Sequence, residues 1–368
     1  GALLPSNKVL FHLTLVPQVQ ALTLNVQCQV YQDKSIPDIV RALLTENGLQ
    51  EGKDFRLALT KTDYPVLEYV VQYQESDWAF ISRLLEHVGI YYYFQEGETT
   101  DILVLLDNRQ THDLATEATM FRMGVGVNPA GEAVAAIGLR QSMKPANVVL
   151  SDYNWRSPDV EMLSRAQAAG SGRGTVTEYG DHFKTPTEGD FLALVRAQEI
   201  QCGESVYHGD GMVRAFRPGL CFVLDSHYRA DCQQQFLLTE VTHYIESLES
   251  IGTAEGGSAD RLQYRNEFKA IPANVQFRPS RVTPKPRIYG TINAIVESSI
   301  PDSDYADIDE LGRYKVRLPF DTSTNGAGKA SRYIRMAQPY AGDEYGSHFP
   351  LHAGTEVLLT HIDGDPDR

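Results

Sequence analysis

The chain has 368 residues, 42% of them hydrophobic and 22% charged, with a formal net charge of -15. That length predicts two or three domains with a sizeable core, and the acidic balance argues against nonspecific nucleic-acid binding and against docking on anionic lipid. No apolar run is long enough to span a bilayer as a helix, and the opening GALLPSNKVLFHLTLVP lacks the basic flank and clean apolar run of a signal peptide, so export by the general secretory route is not expected.

Residues 9–31 are rich in β-formers. The alternation Leu22, Leu24, Val26, Cys28, Val30, opposite Thr23, Asn25, Gln27 and Gln29, predicts a half-buried strand. SIPDIVRALLTENG predicts a helix: Ser35 is the N-cap with Asp38 three residues on, Ile36, Ile39, Val40, Leu43 and Leu44 share a face, and Gly48 closes the end. Residues 55–60 and 66–74 read as strands. ESDWAFISRLLEHVG then predicts a second helix, capped by Ser76, with Trp78, Ile81, Leu84, Leu85 and Val88 as its stripe. Strands are expected at 90–94 (IYYYF) and 102–106 (ILVLL) around a turn at 96–100. Residues 23–110 therefore read as one compact unit, two helices on antiparallel strands.

Residues 111–150 lean toward β, with a turn at NPAG (128–131) and a strand over 133–143. SDYNWRSPD breaks the pattern, and AQAAGSGRGT (166–175) predicts a mobile loop. TEGDFLALVRAQEI predicts a third helix, capped by Thr187 with Asp190 three later. Strands follow at 206–216, 220–224 and 235–245, then a polar surface loop over 246–260.

Residues 264–290, YRNEFKAIPANVQFRPSRVTPKPRIYG, contain Pro272, Pro279, Pro284 and Pro286. Each fixes φ and lacks a backbone donor, so neither a helix nor a central strand is expected to pass through. Arg261, Arg265, Lys269, Arg278, Arg281, Lys285 and Arg287 make this a basic, extended strap between a large acidic module and a small β module. Beyond it, strands at 287–297, 312–320, 332–338 and 355–362 suit a small closed barrel of the OB type, which needs a fifth.

Candidate chemistry is sparse. Asp363, Asp365 and Asp367 alternate like the start of a calcium loop, but Pro366 intrudes and a tight turn at the barrel rim is the better reading. Glu178, Asp181 and His182, and separately His208 and Asp210, could pair acid with base, but no nucleophile accompanies them and solvated turns are expected. GSGRG (170–174) lacks the lysine and preceding strand of a phosphate loop. Cys28, Cys202, Cys221 and Cys232 form no C-x-x-C pair, which predicts reduced thiols of a protein folded in the cytosol. Tyr91 and Tyr93 share one strand face and Tyr92 and Phe94 the other, so both faces need cover, from the chain's own helix or from a second subunit. From Lys285 to Arg368, nine Lys/Arg stand against thirteen Asp/Glu, a net of -4, the wrong sign for a nucleic-acid groove.

Several stretches occurring in one order carry a resemblance: VPQVQAL with VYQDKSIPDIVRALLTENG, VVQYQESDWAFISRLLEHVGIYYYF, LSDYNW, the proline strap, ELGRYKVRLPFD, RYIRMAQPYAGDEYGSHF and GTEVLLTHIDGDPDR. Together they resemble the VgrG family, spike proteins of the bacterial type VI secretion system, which are similar to a tailed-phage hub protein fused to the OB domain of the phage puncturing protein. The resemblance implies a mainly β fold with α+β parts, a phage-hub-like double barrel followed by an OB barrel. Residues 1–22 and 111–260 would form a hub barrel module with an incomplete N-terminal part, 23–110 a second α+β hub module, 261–286 the strap, and 287–368 the OB domain without its last strand and needle. Tyr333 and Tyr345 stand where the family often has Trp.

The resemblance also implies a homotrimer seated on the hexameric tube protein Hcp, with a tip protein or effectors at the needle. Function would be mechanical membrane puncture, with cytoplasmic assembly and secretion through the system itself. No enzyme activity, catalytic residue, cofactor, metal, nucleic-acid partner or stable membrane insertion is expected. The alternatives are a phage baseplate hub, or a spike whose cell-wall hydrolase lies outside this chain.

Overall fold

The computed structural model describes residues 2–3, 9–10, 13–115, 118–122, 132–248, 261–321, 326–342 and 345–368. The turn expected at 128–131 and nearly all of the loop expected at 246–260 lie outside them.

The fold is mainly β with α+β parts. Its largest sheet is built on a hairpin, Gln235–Leu248 against Arg261–Pro272, antiparallel from Leu248↔Arg261 to Phe236↔Pro272 with a register shift between Leu238 and Glu240. Leu220–Asp225 pairs outside the first strand of the hairpin, and Ser205–Gly211 then Val134–Gln141 outside the second. This corrects the strap expected from residue 261: Arg261–Pro272 is an interior strand of a seven-stranded sheet. The reason is local. Before Pro272 no residue lacks its N–H, and Asn266, Phe268 and Ala270 point inward while Arg265 and Glu267 point out. Only the last three prolines exclude a strand. The sheet closes on Phe216, Phe222, Phe236 and Phe268, in ring contacts of 4.7–5.8 Å.

Ahead of it lies the α+β unit. Helix α1 (Ile36–Glu46) starts at Ser35, whose hydroxyl accepts the Asp38 N–H, and ends at Gly48 with φ +84°. Helix α2 (Asp77–Val88) is capped by Ser76 and closed by Gly89 with φ +73°. The stripes foreseen for both helices are buried around Phe55 and Phe80, apart from Trp78, which packs against this core half-buried. Two expectations change. Gln18–Thr23 is a 3-10 turn whose Val19 and Leu22 enter this α+β core, so it belongs neither to a strand nor to the barrel module, and the strand begins only at Val26. Phe55–Ala58 runs parallel, not antiparallel, to Asp101–Leu106, three strands and α2 lying between them in the chain; Tyr91–Glu96 pairs antiparallel on the other side.

Within the stretch assigned to one barrel sits a separate layer. Asn147–Ser151 pairs antiparallel with Leu163–Gln167 and parallel with Thr175–Tyr179. Helix α3 (Pro186–Cys202) covers this sheet through Leu192, Ala193 and Ala197. Its cap is Thr185 rather than Thr187: Pro186 suits the first helical position, and the Thr185 hydroxyl accepts the Glu188 N–H at 3.2 Å.

The OB domain is anchored on Thr291–Val296, flanked by Val316–Arg317 and Glu356–Thr360. The strand expected at 332–338 is a single bridge, Tyr314↔Ile334. Its core is shared: Ala294, Val296, Tyr314, Val316 and Leu318 pack with Val30, Tyr69 and Val71 from the α+β unit.

Candidate functional site

Past Pro272 the chain crosses from the large sheet to the OB barrel, and side chains bind it along the way. Phe277 lies edge-on to Tyr91 at 5.1 Å, and Tyr92 lies against Trp78 at 5.2 Å. The chain itself thus buries the Tyr91 and Tyr93 face and covers the other only in part, Tyr92 remaining 39% exposed.

Arg278 is 9% exposed. Its guanidinium donates to Gly89 O at 2.6 Å, Asp107 O at 2.9 Å and Gln198 Oε1 at 2.8 Å. Two features of the sequence make room for it. Gly89 ends α2 in the left-handed region, and a Cβ there would lie 2.9 Å from Arg278 Cδ. Cys202, at the end of α3, receives the Arg278 N–H on Sγ at 3.3 Å, while burial pushes its thiol up to about 11.

Arg281 reaches Glu178 at 2.7 Å and Asp181 at 3.7 Å, and its N–H donates to Glu199 at 3.0 Å. Next, one carboxylate of α2 holds two strap residues: Glu86 accepts the Val282 and Thr283 N–H groups at 3.0 Å each and the Thr283 hydroxyl at 2.8 Å. Lys285 then sits between Asp365 and Asp367, 2.7 Å from each. Asp367 is 6% exposed and also accepts the Val71 N–H at 2.7 Å. Burial alone would push its carboxyl up; Lys285, Arg83 and the Val71 N–H outweigh that and hold it at about 2. Arg368 pairs with Asp152 at 3.1 Å, so the barrel's last residues are tied into the hub.

These contacts surround a cavity of about 360 Å³ between α2, α3, the strap and residues 365–367. His87 and His182 line it, both pushed down to about 4, chiefly by burial. Asp181, beside His87 and Arg196 at 3.7 Å, keeps its carboxyl below the usual range, the nearby cations outweighing burial.

Several expectations are corrected here. Asp363, Asp365 and Asp367 do lie in a tight turn, with the Asp367 N–H on Asp365 Oδ1 at 3.0 Å and the Arg368 N–H on Asp365 O at 2.9 Å, but Asp365 and Asp367 are inserted against the hub, where Lys285 pairs with both and the Val71 N–H donates to Asp367. Asp181 is not a solvated turn residue but part of a buried ionic cluster, and Glu178 is the strap's acceptor. The GSGRG stretch is pinned, with Arg173 N–H on Lys144 O at 3.1 Å and Gly172 so close to that carbonyl that a Cβ would sit at 2.3 Å. His208 and Asp210 do lie exposed, but on the paired strand Ser205–Gly211 rather than in a turn. Sequence reasoning missed Glu86 and Arg196. Arg196 is 2% exposed and donates to Glu86 O at 3.3 Å and His87 O at 2.5 Å. Nothing in the helical pattern marks either. Among the described residues no group of three or more His, Cys, Asp or Glu is placed to hold a metal ion, and no helix is long and apolar enough to cross a membrane.

A hub-like β module strapped to an OB barrel is the architecture of a tail-spike component. Residues 5–248 match the model of the phage tail baseplate hub (GPD) family, and residues 303–368 that of the type VI secretion system/phage-baseplate injector OB domain. The chain belongs to the phage tail baseplate hub family, among its VgrG spike proteins. The type VI spike protein VgrG1c of Pseudomonas aeruginosa is 28% identical over 367 residues, covering 97% of this chain and 49% of its own length. VgrG1a of the same organism is 28% identical over 373 residues, with shares of 97% and 55%. The actin cross-linking toxin VgrG1 of Vibrio cholerae is 27% identical over 97% of this chain and 32% of its own length. The chain thus spans about half the length, or less, of these curated relatives. An E. coli type VI secretion component, described as structurally similar to the T4 bacteriophage tail proteins gp27 and gp5, superposes with a TM-score of 0.65 at 26% identity, over 96% of this chain and 74% of its own. The Francisella PdpA–VgrG complex shares the fold at a TM-score of 0.52 and 9% identity, over 93% of this chain and 58% of its own.

Proposed function

We propose that this chain is the hub-and-barrel portion of a type VI secretion spike and that it acts as a mechanical part. The observation that carries the reading is the strap: buried or half-buried charge pairs and carboxylate–amide contacts couple hub, strap and barrel, as force transmission along one axis requires. Three copies close around that axis, their hub modules form a ring on the hexameric tube protein Hcp, and the OB barrels lead toward a needle that carries a tip protein or effectors. The spike assembles in the cytoplasm and leaves through the system itself.

Exposed apolar side chains support closure into a trimer. Leu358, Phe349 and Tyr345 on the barrel are 60–66% exposed, and Leu13, Leu15 and Leu24 near the start 84–95%. The chain itself breaks no bonds; only 32% of the relative named as a toxin corresponds to it, which leaves that relative ample room for a further module. Light scattering of the full-length protein tests the reading: trimers are expected, and a monodisperse monomer overturns it. The injector OB model is named for phage baseplates as well. Neighbouring genes separate a phage hub from a secretion spike, capsid and terminase genes marking the former.

A further inference from the structure

We propose that the cavity between α2, the strap and the barrel's last residues is an acid-sensitive latch: protonation of His87 and His182 unseats the strap and residues 365–368 from the hub.

The geometry at His87 carries the argument. Arg196 Nη2 lies 3.4 Å from His87 Nδ1. A guanidinium can only donate, so in this contact Nδ1 is the acceptor, which a neutral ring with its proton on Nε2 provides. A second proton would place an N–H against a donor and a cation against a cation. Arg281 and Lys285, from the strap, add to the repulsion, and Asp181 at 3.7 Å is the anion that opposes it. Arg196 is the side chain that also holds the Glu86 and His87 carbonyls, so displacing it disturbs the turn of α2 from which Glu86 grips Val282 and Thr283.

His182 works on the other end. It lines the same cavity, with its backbone N–H held by Asp152 at 2.7 Å. It faces Lys285 from the strap, and Asp365, Asp367 and Arg368 from the barrel's end. Glu68, Lys184 and Arg332 line the wall beyond it. An imidazolium here adds a second cation beside the Lys285–Asp367 pair, whose carboxylate holds the Val71 N–H.

The direction follows from linkage. Both rings titrate near 4 when the latch is closed and near the ordinary 6.5 when it is open and wet. The open state therefore binds more protons between those values, and opening becomes more favourable as pH falls from about 6.5 to about 4, up to about tenfold per pH unit for each histidine. Below about 4 the closed state takes up protons as well and the trend levels off.

Hydrogen exchange of the full chain, corrected for the intrinsic pH dependence of exchange, reads this directly. Between pH 7 and pH 4.5 the amides of Val71, Val282 and Thr283 should lose at least tenfold in protection, while those of the hub hairpin keep theirs. The double variant His87→Gln, His182→Gln should hold constant protection at all three amides, since the amide oxygen introduced at position 87 can still accept from Arg196 and carries no titrating proton. Protection that does not change with pH in the wild type, an equal loss in the double variant, or simultaneous loss throughout the hub each overturns the proposal. Should the double variant not fold, NMR titration of the wild-type imidazoles decides: midpoints below 5.5 support the latch, and midpoints near 6.5 overturn it.

Discussion

In the hub, the strands Gln235–Leu248 and Arg261–Pro272 pair along 14 and 12 residues, and four phenylalanines fill the space beneath them. In the OB barrel the central sheet has strands of six, two and five residues, and Leu358 and Tyr345 lie in the open. The hub sheet encloses its own core. The barrel borrows Val30, Tyr69 and Val71 from the α+β unit and is fastened by Lys285, by Arg332 over the Tyr69 ring and by Arg368. Short strands bury too little apolar surface to offset the entropy of ordering their loops, so the second module depends on the first for its stability.

The largest effect should come from breaking the self-sufficient half. Phe236→Ala, at a position with 0% exposure, is expected to cost about 3–5 kcal/mol and to lower the denaturation midpoint of the whole molecule. By contrast Val71→Ala, about 2 kcal/mol, should loosen the barrel before the hub, seen as early protease cleavage in residues 291–360 with the hub intact. Equal sensitivity of both halves to Val71→Ala would remove the asymmetry.

Arg278→Ala takes a buried cation away from two carbonyls and a glutamine, at an expected cost of about 3 kcal/mol. Arg278→Lys recovers only part, since one ammonium cannot reproduce the fork. Thermal melting of both variants measures this.

Asp367→Asn should cost about 2 kcal/mol and alter acid behaviour. Because the folded carboxyl is held at about 2, below its ordinary 3.8, its contribution is complete above 3.8 and is lost as pH falls through about 2. The variant should lack this component of acid unfolding while retaining the His87-linked loss at higher pH.

The smallest effect is expected at the seam where Trp155 meets Arg156, Arg313 and Arg335, the last 4.5 Å from the ring centroid. Arg335→Ala removes one exposed cation–π contact, about 0.5–1 kcal/mol, and hydrogen exchange should show the junction still closed.

Much of the α+β unit was legible in advance because its signals are local. Ser35, Ser76, Gly48 and Gly89 act on backbone groups within four or five residues, and the apolar stripes repeat with the helical period. The same reasoning failed at residues 18–23, where alternation of Leu22 and Leu24 implied a strand. One of the pair is fully buried and the other 85% exposed, on a 3-10 turn that α2 holds in place. It failed again at 261–272, where prolines further on obscured an ordinary inward–outward alternation. The charged junction was legible only as composition. A basic strap in an acidic chain announces docking, but Glu86 lies 196 and 197 residues from Val282 and Thr283, and Asp367 lies 296 from Val71.

The amino-acid order alone therefore determined the three helices with the ends of the first two, the mainly β character, the family and the presence of a basic connector, because each rests on short-range backbone chemistry or on motifs in a fixed succession. Tertiary structure alone decided which carboxylate meets which cation, that the barrel completes its core with strands from another module, and that His87 and His182 line one cavity among the strap's charges. Those outcomes depend on desolvation and on contacts between groups far apart along the chain, and neither exists until the chain is folded.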